Sequence, residues 1–170
     1  GGAGIDTIDF SQDNLGGFTI DLNLASFDII GSTFSNFENV DDFSGGNTII
    51  DRNSAINIIN AGGGDDTVVM VNSSLGDVFN GGTGTNTLVQ NNDLDGHIVV
   101  NMLTGFVTNT IDAGQYAQFS NFQNASVNGQ QGIIGDGQNN ILRGISSVGG
   151  FANNNFSGGA GNDTLEGGAG

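Results

Sequence analysis

The chain reads as an all-β protein, a right-handed parallel β-helix, and three observations lead to that reading. A glycine-rich nonapeptide recurs five times, intact or eroded, and each copy runs into a short apolar segment. Elsewhere apolar and polar residues alternate with a period of two: Phe18, Ile20, Leu22 and Leu24 share one face of the segment 18–24. No segment carries a helical period, whereas glycine fills 31 of 170 positions and proline none. Short strands separated by turns at spacings near nine residues fit coils of about 18 residues, each closed by two turns.

The intact copies are Gly1-Gly2-Ala3-Gly4-Ile5-Asp6-Thr7-Ile8-Asp9 and Gly158-Gly159-Ala160-Gly161-Asn162-Asp163-Thr164-Leu165-Glu166. Glycine lets the first six residues turn with φ values that a side chain forbids, and it leaves their carbonyls able to face a hard cation. The sixth-place aspartate adds charge. Ile8 and Leu165 then stand as the inward apolar residue of a very short strand. Ala61-Gly62-Gly63-Gly64-Asp65-Asp66-Thr67-Val68-Val69 keeps the aspartate and loses only the first glycine. Gly81-Gly82-Thr83-Gly84-Thr85-Asn86-Thr87-Leu88-Val89 keeps its glycines but offers a neutral amide at Asn86. The weakest copy, Gly135-Asp136-Gly137-Gln138-Asn139-Asn140-Ile141-Leu142-Arg143, reads most simply as an ordinary turn.

A longer repeat overlies the short one. Phe34-Ser35-Asn36-Phe37 recurs as Phe119-Ser120-Asn121-Phe122, and the copy at Gly1 recurs at Gly81. Two halves of similar plan, 1–80 and 81–170, follow, with Ile98-Val99-Val100-Asn101-Met102 as the counterpart of the first alternating strand. Phe34, Phe37, Phe119 and Phe122 are expected inside as an aromatic stack, since an exposed phenylalanine ladder invites sheet association. Residue 1 opens a copy and Gly167-Gly168-Ala169-Gly170 begins another, so the chain reads as a single solenoid segment of a longer protein. No N-terminal signal peptide is visible, and targeting information is expected elsewhere.

Composition narrows the function. Eighteen acidic residues face two basic ones, Arg52 and Arg143, for a formal charge of -16. Such a chain repels itself when compact, and bound divalent cations relieve that repulsion. Two arginines cannot supply the phosphate contacts that nucleic-acid binding draws on, so nucleic acid is set aside. The longest apolar run, Val68-Val69-Met70-Val71, falls far short of the ~18 residues of a membrane helix. Cysteine is absent, so stability must come from metal or from stacked repeats rather than disulfides.

The nonapeptides at Gly1, Ala61, Gly81 and Gly158 resemble the RTX, or haemolysin-type calcium-binding, repeat family of β-rolls. The resemblance implies a calcium-stabilised, non-catalytic structural module of a large secreted or cell-surface bacterial protein, of adhesin, surface-layer or fibre type, exported by type I secretion. Its implied ligands are the sixth-place residues Asp6, Asp66, Asn86, Asn140 and Asp163, with the turns at Gly1, Gly2, Gly4, Gly62, Gly64, Gly82, Gly84, Asp136, Gly159 and Gly161. In that family a complete site joins two copies about 18 residues apart. Here Asp66 and Asn86 are 20 apart, Asn140 and Asp163 are 23 apart, and each pair has one carboxylate, so fewer and weaker sites are expected. The implied partners are calcium ions and neighbouring repeats or identical subunits. The competing reading is an accessory module, such as those of alginate epimerases, that binds extracellular polysaccharide.

Catalytic constellations are absent from the pattern. His97 is the single histidine, at a strand start with no nucleophile or ligand partner nearby in sequence, and Tyr116, the single tyrosine, is expected in a polar loop. Asp41-Asp42 are neighbours on a strand and point to opposite faces, which disfavours shared acid and base work. The Thr/Asn ladder that ice binding needs appears once, at Gly82-Thr83-Gly84-Thr85-Asn86.

Overall fold

The computed structural model describes residues 1–12, 17–23, 26–27, 36–42, 44–52, 55–71, 75–91, 97–111, 114–129, 131–145 and 153–168. Among these there is no helix, and 17 strands form two sheets. The first sheet runs, in spatial order, β1 (Thr7–Asp9), β4 (Asn39–Asp41), β6 (Ile58–Asn60), β8 (Asp77–Asn80), β12 (Gln115–Ser120), β11 (Phe106–Asn109), β10 (Ile98–Asn101), β14 (Gly132–Ile134) and β16 (Asn155–Ser157). The second runs β17 (Thr164–Glu166), β15 (Ile141–Ile145), β13 (Asn124–Asn128), β9 (Thr87–Gln90), β7 (Thr67–Met70), β5 (Thr48–Ile50), β2 (Thr19–Asp21) and β3 (Ser26–Phe27).

Outside two hairpin regions the chain alternates between sheets, and each strand lies parallel to the next of its own sheet. Ile49 stands opposite Val68 and Val68 opposite Leu88, steps of 19 and 20 residues. The arrangement is consistent with a β-solenoid, in which one strand from each sheet makes a rung. Leu24 and Phe34 lie outside the described residues.

Period-two patterning builds the interior. Ile20, Ile49, Val68, Leu88 and Leu142 of the second sheet, and Val40, Ile59 and Phe79 of the first, are at most 1 % exposed. Phe119 and Phe122 are buried with ring centroids 6.0 Å apart in an edge-on pair, and Phe37 is half-buried against the same core. End rungs have a neighbour on one side only. Ile8 is accordingly half-buried, and Leu165 is 46 % exposed.

Two features depart from the sequence reading. The sheets are not wholly parallel: β2–β3, β10–β11 and β11–β12 are antiparallel. The reason lies in the turn between β10 and β11. Asn101 Oδ1 accepts the Thr104 N–H at 3.2 Å, the Asn101 carbonyl accepts the Gly105 N–H, and Gly105 takes φ 72°, so the strand folds back instead of crossing. Tyr116 consequently sits on β12 rather than in a loop.

Candidate functional site

The copies at Ala61, Gly81, Gly135 and Gly158 lead into β7, β9, β15 and β17, all in the second sheet, so they line one edge of the rungs. The copy at Gly1 leads into β1 of the first sheet, and Gly1, Gly2, Gly4 and Asp6 therefore stand apart from the others. There the Asp6 carbonyl accepts the N–H groups of Glu38 and Asn39, both at 3.1 Å, while the Asp6 N–H donates to Glu38 Oε2 at 3.0 Å.

The four remaining turns stack in two pairs. In the first, the Thr83 N–H donates to the Gly62 carbonyl and the Gly64 N–H to the Thr83 carbonyl, both at 2.9 Å. Gly62, Gly64, Gly82 and Gly84 all have positive φ, and a Cβ at Gly82 would lie 1.8 Å from the Gly62 oxygen. Only glycine allows this approach. In the second pair the Asn140 N–H donates to Asp163 Oδ1 at 2.9 Å and the Asn162 N–H to Asn139 Oδ1 at 2.8 Å. Gly159 and Gly161 turn with positive φ above Asp136 and Gln138. The Gly135 copy, which reads as an ordinary turn in sequence, is thus a full stacking partner. Asp136 has its carboxylate engaged within its own turn, accepting the Gln138 N–H at 2.8 Å and the Asn140 amide at 3.2 Å.

Asp66 and Asn86 face inward and cap backbone donors of the adjoining rung. Asp66 Oδ1 accepts the Asn47 N–H at 2.8 Å, Asn86 Oδ1 accepts the Asp66 N–H at 2.9 Å, and Gln123 Oε1 accepts the Asn86 N–H at 2.8 Å. A carbonyl oxygen serves this role as well as a carboxylate does, which accounts for asparagine at position 86, while Asn140 Oδ1 caps the Asp136 N–H of its own turn at 3.0 Å. Asp66 has an oxygen to spare. It is 1 % exposed, and its Oδ2 accepts no hydrogen bond among the described residues. Burial pushes its carboxyl up to about 6, the Asn47 N–H opposing and the charges of Asp42 and Asp65 adding to the rise.

A second buried carboxylate escaped the motif reading. Asp51 follows β5, is 1 % exposed, accepts the Val71 N–H on Oδ1 at 2.6 Å, and has no partner on Oδ2 among the described residues. Burial raises it to about 8, with the nearby Asp77 charge adding to the rise and the Val71 N–H opposing it. Neither Asp51 nor Asp77 belongs to a glycine pattern. Strand parity is the signal that finds them: Asp51 follows Ile49 by two residues and Asp77 precedes Phe79 by two, so both share the inward face.

No protein-family model matches this chain, and no curated protein matches it significantly. Among the described residues no three acidic or imidazole side chains gather as a metal cluster. The Asp66 carboxylate reaches back toward Asn47 and Asp42 of the preceding rung, and the side-chain oxygen that links the Ala61 and Gly81 turns is that of Asn86, so the oxygens gathered at this edge are carboxylate, amide and backbone carbonyl. That all-oxygen donor set suits a hard cation such as calcium and does not suit zinc or copper.

Proposed function

We propose that this chain is a non-catalytic, calcium-stabilised structural module of a secreted or surface-attached bacterial protein, built as a right-handed solenoid. Right-handedness rests on the strong preference of parallel crossover connections for that hand. The observation that carries the proposal is the buried Asp66 carboxylate at the end of the Ala61 turn, whose Oδ2 has no hydrogen bond among the described residues while its Oδ1 accepts the Asn47 N–H. A calcium ion there would neutralise that buried charge and lower the self-repulsion of a chain of net charge -16. Gly62 and Gly64, in the same turn as Asp66, would contribute carbonyl oxygens. The pair at Gly135 and Gly158 is the weaker site, since Asp163 is only half-buried and its charge stays partly solvated, unlike that of Asp66.

Titration calorimetry of calcium against the wild type, Asp66→Asn and Asp163→Asn tests this. Binding should weaken at least tenfold in Asp66→Asn and less in Asp163→Asn. Identical isotherms in all three would overturn the assignment.

One observation favours a second reading, that of a polysaccharide-binding accessory module. Phe106 and Tyr116 are half-buried and line a shallow cleft with Gln115, Gln118 and Val78, an aromatic and amide lining of the kind that stacks on sugar rings. Pull-down on anionic polysaccharide, lost in Tyr116→Ala with the fold intact, would favour it over the structural role.

A further inference from the structure

Two buried carboxylates converge at the edge of the rungs opposite the Ala61 and Gly81 turns. Those turns carry the chain from the first sheet to the second, whereas Asp51 follows β5 and Asp77 opens β8, where the chain passes from the second sheet to the first. Each carboxylate reaches into the other's rung. Asp51 Oδ1 accepts the Val71 N–H at 2.6 Å, just past β7 in the rung that β8 completes. Asp77 Oδ1 accepts the Asn57 N–H at 2.9 Å, just before β6 in the rung that β5 begins. Both side chains therefore point into the gap between the same two rungs.

Both residues are 1 % exposed, and Asp51 Oδ2 has no hydrogen bond among the described residues. After burial itself, the charge of Asp77 is what raises the Asp51 carboxyl, so the two groups lie within electrostatic reach of each other. The chain's two arginines are engaged elsewhere: Arg52 turns its guanidinium to Glu38 at 2.7 Å, and Arg143 pairs with Glu166 at 2.7 Å. Buried carboxylates are costly unless they meet a counter-charge or a metal. A proton on Asp51 neutralises one of the two charges, whereas a divalent cation balances both.

We propose that Asp51 and Asp77 bind one hard divalent cation of the calcium class between these two rungs, at a site separate from the glycine turns. Carboxylate oxygens are the donors such an ion takes, and water and main-chain carbonyls complete its shell. Asp77 also lines the shallow cleft beside Phe106 and Tyr116, which gives the ion a way in. Bound there, the ion ties the β5–β6 rung to the β7–β8 rung. This site does not depend on the Asp66 one, since the length of β7, four residues or ~13 Å, separates the two edges.

Terbium(III), which takes oxygen ligands as calcium does, reads this site through Tyr116. That residue is the chain's single tyrosine, tryptophan is absent, and its neighbour Ala117 stands opposite Asp77. Terbium held by Asp51 and Asp77 should emit when tyrosine is excited, and excess calcium should displace it; an ion at Asp66, on the other edge, receives that energy far more weakly. Asp51→Asn and Asp77→Asn, checked for fold by far-UV circular dichroism, should each weaken the tyrosine-sensitised titration roughly tenfold or more, and Asp66→Asn should leave it within about twofold. Emission lifetimes in light and heavy water need the wild type alone, and should show an ion that has shed most of its water. A folded wild type without sensitised emission, emission that calcium does not displace, a fully hydrated ion, or titrations unchanged in both carboxylate variants overturns the site. Emission lost in Asp66→Asn and kept in Asp51→Asn places the ion at the glycine turns and overturns it as well. Failure of the Asp66 assignment would show instead in the calcium calorimetry of Asp66→Asn, with this emission unchanged.

Discussion

Asp51 makes the stability of this protein fall as pH rises, opposite to the usual response of a carboxylate held in an ion pair. Burial and the Asp77 charge move its carboxyl from the ordinary 3.8 to about 8. A folded-state value above the unfolded one means that the fold holds a proton which the unfolded chain releases. The resulting stability is complete below the unfolded value and is lost as pH climbs through the folded value. At ~1.4 kcal/mol per pH unit, integration from pH 5 to pH 8 gives a loss of about 3 to 4 kcal/mol, or roughly 10 °C in melting temperature for a chain of this size. Thermal melts followed by far-UV circular dichroism in chelator, at steps across that range, measure it. Asp51→Asn should flatten the dependence and melt higher than the wild type at the alkaline end. Near pH 5, where the wild-type carboxyl is itself protonated and neutral, the variant should melt close to the wild type. Asp66, raised to about 6, keeps a smaller slope in the variant. A wild-type melting temperature that is flat or rising across the range, or an Asp51→Asn slope equal to the wild type's, would refute the reasoning.

Two further predictions follow from the stacking. Gly82→Ala places a Cβ 1.8 Å from the Gly62 oxygen at φ 74°, so urea unfolding should show a loss well beyond the ~1 kcal/mol that positive φ alone costs. Gly137→Ala, whose Cβ meets nothing within 4 Å, should stay within about 0.5 kcal/mol of the wild type. Leu88→Ala, in a wholly buried rung, should cost about 2 to 5 kcal/mol, whereas Leu165→Ala at the open end should cost less than about 1 kcal/mol in the same urea titrations.

The rungs were legible because their signals are local. Threonine followed by an apolar residue marks a strand after four of the five glycine turns, Ile141-Leu142 does so after the fifth, and alternation places Phe18, Ile20 and Leu22 inside. Three things escaped. The reversal into β11 depends on a side-chain cap at Asn101 and a positive φ at Gly105 inside an otherwise strand-like segment, too short a signal to separate from an outward turn. The pairing of the Gly135 and Gly158 turns depends on backbone contact between distant residues, to which the eroded sequence of the first gives no clue. Sixth-place residues were expected as ligands alone, yet Asn86 and Asp163 spend an oxygen on N–H groups one rung away, a demand visible only once the rungs are stacked. The opposite edge chosen by the Gly1 copy has the same origin, since which edge a turn takes depends on how many strands separate the copies.

The most direct test of the central proposal is far-UV circular dichroism with thermal melting as calcium is titrated into the chelator-treated chain. The account predicts that β signal or melting temperature rises to a plateau at roughly millimolar calcium, and that Asp66→Asn blunts the rise. Identical spectra and melting temperatures in chelator and in about 10 mM calcium would contradict it, leaving a solenoid held by its asparagine and aspartate ladders alone.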